Sequence, residues 1–279
     1  MHFSIVTACL QADERLERTA QSIANQPGMS GDSEHIVVCS DTSGASDEIL
    51  AKLAGKGVHV INENDNSLYD GLAKGMQAAT GDIVSYLNAG DLYFPEALAT
   101  MAEAFRLERV GWVTGYATLC NERGQKIAAW KPAPFDRELF KCGAYCSDLP
   151  RHPWVQQEST LWKRELMHGL DWDRFRSFRL AGDYYLWMHL SERADLYSLH
   201  ALVGSFLCNP GQMSSNRQAY FNEIQPFFSQ PSLRQRLKMW VDFRASWQLK
   251  VKADRLLRGR CPNRVIQFSP DLDRWCIVE

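Results

Sequence analysis

Residues 58–91 read VHVINENDNSLYDGLAKGMQAATGDIVSYLNAGD, and parsing them decides the fold. The apolar run Val58–Asn62 predicts a strand. Leu68–Ala79 predicts a helix with Leu72 and Met76 turned inward, and Ile83–Leu87 predicts a second strand. Strand, helix and strand in that order make a βαβ unit, which demands a parallel pair joined by a right-handed crossover. The same rhythm runs upstream. Phe3–Ala8 predicts a strand, Asp13 a helix N-cap, and Leu16, Ala20 and Ile23 one apolar helix face. His35–Cys39 predicts a strand and Ser46–Leu53 a helix. Downstream, Pro95 and Glu96 open a further helix. The fold class is therefore α/β with a mostly parallel sheet, and ligands of such sheets bind beyond the carboxyl ends of the strands.

After Phe105 the rhythm changes. Gly111–Cys120 and Lys126–Trp130, joined by Asn121-Glu122-Arg123-Gly124, predict a hairpin. A loop rich in proline and aromatics follows from Lys131 to Trp154. Glu158–Trp162 predicts a short strand, Asp183–Arg193 a helix with Leu186, Trp187 and Leu190 inward, and Leu196–Cys208 a strand or strand pair. Three parts emerge: residues 1–107 as a nucleotide-binding half, 108–225 as a second half, and 226–279 as a basic amphipathic extension.

The 279 residues carry 31 Lys plus Arg against 33 Asp plus Glu, a formal net charge of −2, with 45% apolar residues. That balance excludes a mostly disordered chain and a nucleic-acid binder working through bulk positive charge. No run reaches the roughly 18–20 apolar residues that span a bilayer, and the first residues do not read as a secretory signal. Eight cysteines lie scattered with no CxxC pair, which predicts a reduced, cytosolic protein without structural zinc. The charge is uneven. Ser232–Arg260 holds nine basic and two acidic residues, so an acidic body carries a basic tail.

Three acidic loops stand where ligands bind: Ser40–Asp47, Asn64–Asp70 and Asn88–Asp91. Carboxylates at one sheet edge suit a hard divalent cation, or hydrogen bonding to a base and ribose. Neither GxxxxGK[ST] nor GxGxxG occurs, so a metal rather than a glycine loop would neutralise phosphates. Singly, these acids have plainer readings: Asp41 and Asp47 as Asx turns or helix caps, Asp91 as the close of a turn. The residues alone give a nucleotide-binding α/β domain.

The segments IVTACLQADERLERTAQSI, HIVVCSDTSGASDEIL and INENDNSLYDGLAKGMQAATGDIVSYLNAGD resemble the N-terminal half of family 2 glycosyltransferases of the GT-A fold. VQQESTLWKREL, LAGDYYLWMHL and NPGQMSSN resemble their second half, so the likeness runs over about residues 3–225. The resemblance implies that Thr7 and Ala8 lie by the uracil and ribose of a UDP-sugar and that Asp41 contacts base or ribose. It sets Asp65, Asp70 and Asn88 near the nucleotide. Asp91 matches the last acid of the DxD-like motif, which holds Mn²⁺ or Mg²⁺ on the diphosphate; relatives often carry an acid where this chain has Asn88 or Gly90. Asp183, in Ala181-Gly182-Asp183-Tyr184, matches the catalytic base; taken by itself it reads as a helix N-cap, a site that keeps a carboxylate ionised. Gln156, Gln157 and Glu158 match a segment beside the donor sugar, with Gln157 the chosen contact and a buried structural amide the plainer alternative. His152 is a candidate to shape the same pocket, with an incidental loop histidine the plainer reading. Trp154 is the expected acceptor platform among Trp154, Trp162, Trp172 and Trp187, with Tyr184 beside the acceptor.

In the tail Leu233, Leu237, Trp240, Val241, Trp247 and Val251 recur at helical spacing among Arg234, Lys238, Lys252, Arg255 and Arg258. A basic amphipathic helix with tryptophan suits an anionic membrane surface; a packed surface helix or a homo-oligomer contact is the plainer reading. The expected function is an inverting transfer of a sugar from a nucleotide diphosphate donor to a glycan or an undecaprenyl-diphosphate-linked saccharide. It would act at the inner face of the cytoplasmic membrane, with no nucleic-acid partner. The alternative is a non-catalytic sugar- or nucleotide-binding module of a larger synthase. A nucleotidyltransferase would need a glycine- and Lys/Arg-rich loop after the first strand, which Cys9–Asp13 does not supply.

Overall fold

The computed structural model describes residues 1–27, 33–146, 153–209, 216–244 and 264–278, with the side chains of 241–244 left aside. Strands β1 (Phe3–Cys9), β2 (Glu34–Cys39), β3 (His59–Asn62) and β4 (Ile83–Tyr86) alternate with helices α1 (Glu14–Ala24), α2 (Asp47–Ala54) and α3 (Leu68–Ala78). Asp13 caps α1, accepting from Arg15 N at 2.9 Å and Leu16 N at 3.3 Å. Leu16, Ala20 and Ile23 are buried on its inner face, as are Leu72 and Met76 on α3. Strand β5 (Leu92–Tyr93) precedes α4 (Ala97–Phe105), which starts after Glu96 because that residue takes a left-handed conformation, φ 63°.

The second half contains β6 (Trp112–Thr114), β7 (Ala117–Cys120), β8 (Lys126–Trp130), α5 (Arg137–Phe140) and β9 (Thr160–Lys163). Then come α6 (Trp172–Ser177), α7 (Gly182–Ser191), β10 (Leu196–Leu199), β11 (Gly204–Leu207), α8 (Arg217–Ile224), α9 (Leu233–Arg244), β12 (Val265–Ser269) and β13 (Arg274–Ile277). Among the described residues the main sheet has nine strands in the order β13-β12-β10-β6-β9-β4-β1-β2-β3. Its pairings are parallel except at β9, antiparallel to both neighbours, and between β12 and β13. A second sheet runs β5-β11-β7-β8.

Three sequence expectations are corrected here. Gly111–Cys120 is two strands rather than one, and Leu196–Cys208 is the strand pair of its two readings, because the chain leaves the main sheet for the small one between β6 and β7 and again between β10 and β11. Gly115 N bonding Ser159 O at 2.8 Å and Tyr116 N bonding Ala201 O at 2.9 Å hold that crossing. Glu158 belongs to a 3-10 turn, Gln157–Ser159, and the strand begins only at Thr160. The stretch after residue 226 is not wholly helical: β12 and β13 join the main sheet through β10.

Tryptophans centre the second half. Trp112 stacks on Trp187 at 5.8 Å and Trp162 meets Trp187 edge-on at 5.6 Å. All three are buried, so Trp162 and Trp187 are core residues rather than ligand platforms. Helix α9 lies on α5: Lys238 pairs with Asp136, and Gln235 Nε2 donates to Glu138 O at 3.0 Å. Leu233, Leu237 and Trp240 are exposed on its other side. No helix among the described residues is long and apolar enough to cross a membrane.

Candidate active site

The carboxyl ends of β1, β2 and β4 open onto the acidic loops, but their residues divide differently from the expectation. Thr7 is fully buried and its hydroxyl meets His35 Nε2 at 3.0 Å, deep in the sheet. Ala8 is buried against α3. Neither side chain is free to meet a nucleotide, since β1 runs on to Cys9. Asp41 is engaged by its own loop: Oδ1 accepts from Ser43 N at 2.9 Å and Ser43 Oγ at 2.5 Å, and Oδ2 from Ser46 Oγ at 2.6 Å. These bonds hold its carboxyl down at about 2, the Asx-turn alternative. Asp70 ties down the start of α3 in a variant of the capping box that reaches the residue ahead of the N-cap Ser67, and its Oδ1 lies 3.7 Å from Arg176 Nε. Ser67 Oγ accepts from Asp70 N at 3.2 Å while Asp70 Oδ2 accepts from Asn66 N at 3.0 Å. Asp65 differs from both. Partly buried beside Ser40, with no ion pair among the described residues, its carboxyl is raised by burial against the pull of Lys74. It is the acid of this edge with capacity left for a ligand.

Beyond β4 the loop Asn88–Asp91 turns under the small sheet. Asp91 is 3% exposed; Oδ1 accepts from Leu207 N at 2.9 Å, and Oδ2 has no partner among the described residues. Asn88 Oδ1 is likewise buried without a partner. Burial first, and then Glu158, raise the Asp91 carboxyl, and burial raises Glu158 in turn. Two carboxyls facing each other in a dry interior share a proton or a cation. The orphan oxygens of Asn88 and Asp91 are hard donors of the kind Mn²⁺ and Mg²⁺ take, so the residues fit such an ion. Among the described residues no three His, Cys, Asp or Glu side chains converge, so most ligand positions would fall to donor phosphates and water. Gln157 is buried and donates to Tyr86 O, and Gln156 Nε2 donates to Thr118 O at 2.8 Å. Both amides are engaged by the main chain, in keeping with the structural alternative for Gln157.

Asp183 stands in the first turn of α7, after Ala181 as the residue flanking the helix, so it is not itself the N-cap. It is partly exposed. Tyr220 OH donates to Oδ1 at 2.7 Å and Tyr184 N at 2.7 Å. Tyr69 OH lies 3.5 Å from the same oxygen and gives its proton to Leu180 O at 2.8 Å. Among the described residues every hydrogen bond that Asp183 accepts from another residue ends on Oδ1, leaving Oδ2 open. Burial outweighs these bonds and pushes its carboxyl up to about 6, so the helix start does not keep it in the ordinary range. The carboxylate that remains near neutral pH is a competent base with one oxygen free.

The family model for glycosyl transferase family 2 matches residues 4–159. The chain belongs to this family. Comparison with curated protein sequences gives no match. Solved family-like folds are similar throughout. A mannosyltransferase from Pyrobaculum calidifontis, in complex with GDP-Man and Mn²⁺, superposes with TM-score 0.58 at 15% identity over 92% of this chain and 74% of that one. TarS 1-349 from S. aureus in complex with UDP-GlcNAc gives TM-score 0.55 at 13% identity, covering 95% and 72%. TarS 1-349 alone gives 0.54 at 14%, covering 87% and 80%. The architecture is the GT-A fold.

On this family 2 chain the structure brings Asp183 together with Tyr69 and Tyr220, and sets Asn88, Asp91 and Glu158 together beside them, Glu158 lying within electrostatic reach of both acids. Trp154 is 51% exposed and meets the exposed Trp130 edge-on at 5.9 Å. Tyr184 is buried and its hydroxyl donates to Phe140 O at 2.9 Å. Tyr220, Glu223 and Trp130 were missed by sequence reasoning. Trp130 carried a usable signal, an aromatic closing a hairpin strand; Tyr220 and Glu223 carried only their i,i+3 spacing. His152, Trp247, Val251, Lys252, Arg255, Arg258 and the Ser-Ser of NPGQMSSN lie outside the described residues, as does the side chain of Val241.

Proposed function

We propose that this family 2 protein is an inverting glycosyltransferase that moves a sugar from a nucleotide diphosphate donor, a UDP-sugar first, to a glycan or lipid-linked saccharide. The observation that carries the reading is the Asp183 carboxylate, held by one oxygen and open at the other. The open carboxylate oxygen takes the proton of the acceptor hydroxyl as the hydroxyl's own oxygen bonds the anomeric carbon. The bond from that carbon to the diphosphate breaks with its electron pair, the nucleoside diphosphate leaves from the opposite face, and the configuration inverts. One carboxylate suffices because no glycosyl-enzyme forms, unlike the paired acids of retaining hydrolases. Asn88 and Asp91 would hold Mn²⁺ or Mg²⁺, which supplies charge neutralisation for the departing diphosphate. Asp65 supports binding of base or ribose. The Trp130 and Trp154 rings offer apolar faces on which the C–H edges of an acceptor sugar rest.

The donor reading draws on the complexes of TarS with UDP-GlcNAc and of the mannosyltransferase with GDP-Man and Mn²⁺. The exposed stripe Leu233, Leu237 and Trp240, flanked by exposed Arg234 and Arg236, supports binding to an anionic membrane at the cytoplasmic face. The deciding experiment incubates the protein with UDP-GlcNAc, other UDP-sugars and GDP-mannose plus Mn²⁺ and measures nucleoside diphosphate release. Release from one donor, lost in Asp183→Asn while calorimetric nucleotide binding persists, is the expected result. Equal turnover in Asp183→Asn overturns the reading, and binding without turnover by the intact protein returns it to a non-catalytic module.

A further inference from the structure

Helix α8 lies beyond residues 4–159, the part matched by the family model, yet it makes four hydrogen bonds to Asp183 and the turn before it. Tyr220 and Glu223, three residues apart, share one face of it. Tyr220 OH reaches Asp183 Oδ1 at 2.7 Å. Glu223 Oε1 accepts from Arg179 N at 2.7 Å, and its Oε2 accepts from Leu180 N and Ala181 N, both at 2.8 Å. Three consecutive main-chain donors ahead of α7 thus end on one carboxylate. Charge-assisted bonds of this kind are roughly twice as strong as neutral ones. Helix α8 is itself fixed: Asn216 Oδ1 caps it through Ala219 N at 3.2 Å, and Ile224 is fully buried in the main core. From the opposite side Gly182 lies against the Tyr69 ring, where any side chain would overlap its carbons.

We propose that α8 is the positioning element of the Asp183 base, Glu223 fixing the turn before α7 and Tyr220 turning the carboxylate so that Oδ2 faces the acceptor. This rests on the reading of Asp183 as base given above. Tyr220 and Glu223 touch no reacting atom; they act through Asp183. Removing the Tyr220 hydroxyl takes a donor from the charged form of Asp183, and its proton affinity rises. The other groups facing Asp183 are Tyr69 on α3, Tyr86 on β4, Glu158 in the 3-10 turn and Glu223 on α8. All stay in place in Tyr220→Phe.

The test reads the Asp183 carboxyl carbon by NMR titration of protein carrying ¹³C-labelled aspartate, with the resonance identified by its absence in Asp183→Asn. Tyr220→Phe is expected to raise the Asp183 midpoint by about 0.5–1 pH unit. It should also lower nucleoside diphosphate release from UDP-GlcNAc or GDP-mannose about tenfold, with nucleotide affinity unchanged. In Glu223→Ala, hydrogen exchange at the amides of Arg179–Ala181 is expected to speed up about tenfold, one lost bond of about 1.4 kcal/mol, while α8 keeps its protection. An unmoved midpoint in folded Tyr220→Phe overturns the proposal, and so does a moved midpoint with wild-type turnover. Unchanged exchange in Glu223→Ala overturns the part assigned to Glu223. Normal turnover in Asp183→Asn overturns the base reading and this proposal with it, whereas an inactive Asp183→Asn with a silent Tyr220→Phe overturns this proposal alone.

Discussion

Gly90–Asp91 and Gly182–Asp183 are the same dipeptide beside the end of a regular element, and the chain puts them to opposite use. Gly90 takes φ +107°, and a Cβ there would meet Leu207 Cδ2 at 2.7 Å; the tight turn sends Asp91 inward to Leu207 N and Glu158. Gly182 has no unusual φ. It lets the Tyr69 ring close on the backbone, and the carboxylate that follows is left at the surface of the cleft. Both acids are raised by burial and both feel Glu158, yet Asp91 meets that carboxyl directly whereas Asp183 takes its hydrogen bonds from Tyr220 and a main-chain amide. A carboxylate surrounded by hydroxyl donors keeps an oxygen for chemistry. One facing a second acid has a place for a cation or a proton.

The largest effect that separates them is expected from Asp183→Asn. It keeps the shape and both hydrogen bonds to Oδ1 but cannot take a proton, so nucleoside diphosphate release falls by about 10³-fold. Nucleotide affinity, measured by calorimetry, stays at the wild-type value. A loss of binding equal to the loss of turnover would make Asp183 a binding residue.

The pH dependence comes next. With the Asp183 carboxyl at about 6, the base is protonated below that pH, so kcat/KM should fall about tenfold per unit beneath it. Stability has the opposite sense. The folded value lies above the ordinary 3.8, so the stabilising contribution is complete below 3.8 and is lost as pH rises through 6. Asp183→Asn should therefore be more stable than wild type at pH 7.5 by about 1–3 kcal/mol and melt at a higher temperature. The two should converge near pH 4, as thermal melts at both pH values will show.

At the other dipeptide the readout is the metal. Nucleotide affinity of the wild type is expected to rise about tenfold with Mn²⁺, and Asp91→Asn should abolish that increase while the metal-free affinity stays. Persistence of the increase in Asp91→Asn would leave the Asp91–Glu158 pair as a proton-sharing structural contact.

The first hundred residues were legible because every element there satisfies its local rule. Asp13 caps α1, Leu72 and Met76 repeat at one helical turn, and β1, β2 and β4 are mostly apolar runs buried on both faces. The second half was not, for a physical reason: β6 and β7, like β10 and β11, belong to different sheets although each pair reads as one stretch, and hydrophobic pattern carries no record of which sheet a strand joins. The site divides similarly. Asp183 was found because a motif stands around it. Tyr220 and Glu223 were not, because they reach it across 37 residues and across the turn at 179–181, where sequence offers only spacing.

The smallest effects come from two acids that the motif treats alike, and they should cross. Asp65 has its carboxyl beside Ser40 with no ion pair among the described residues, whereas the Asp70 carboxylate is held by Asn66 at the start of α3 and by Arg176, whose Nε lies 3.7 Å from Oδ1. Asp65→Asn removes a charged acceptor from the nucleotide edge, and UDP or GDP affinity should fall about tenfold. Because burial opposes its ionised form, thermal stability should stay or rise. Asp70→Asn removes the charge from the first turn of α3 and weakens the reciprocal cap, so stability should fall by about 0.5–1 kcal/mol with nucleotide affinity unchanged. If instead Asp70→Asn weakened nucleotide binding and Asp65→Asn weakened the fold, the capping box would be the binding residue. The division between acids that hold the chain and acids left free for a ligand would then have to be redrawn at this edge.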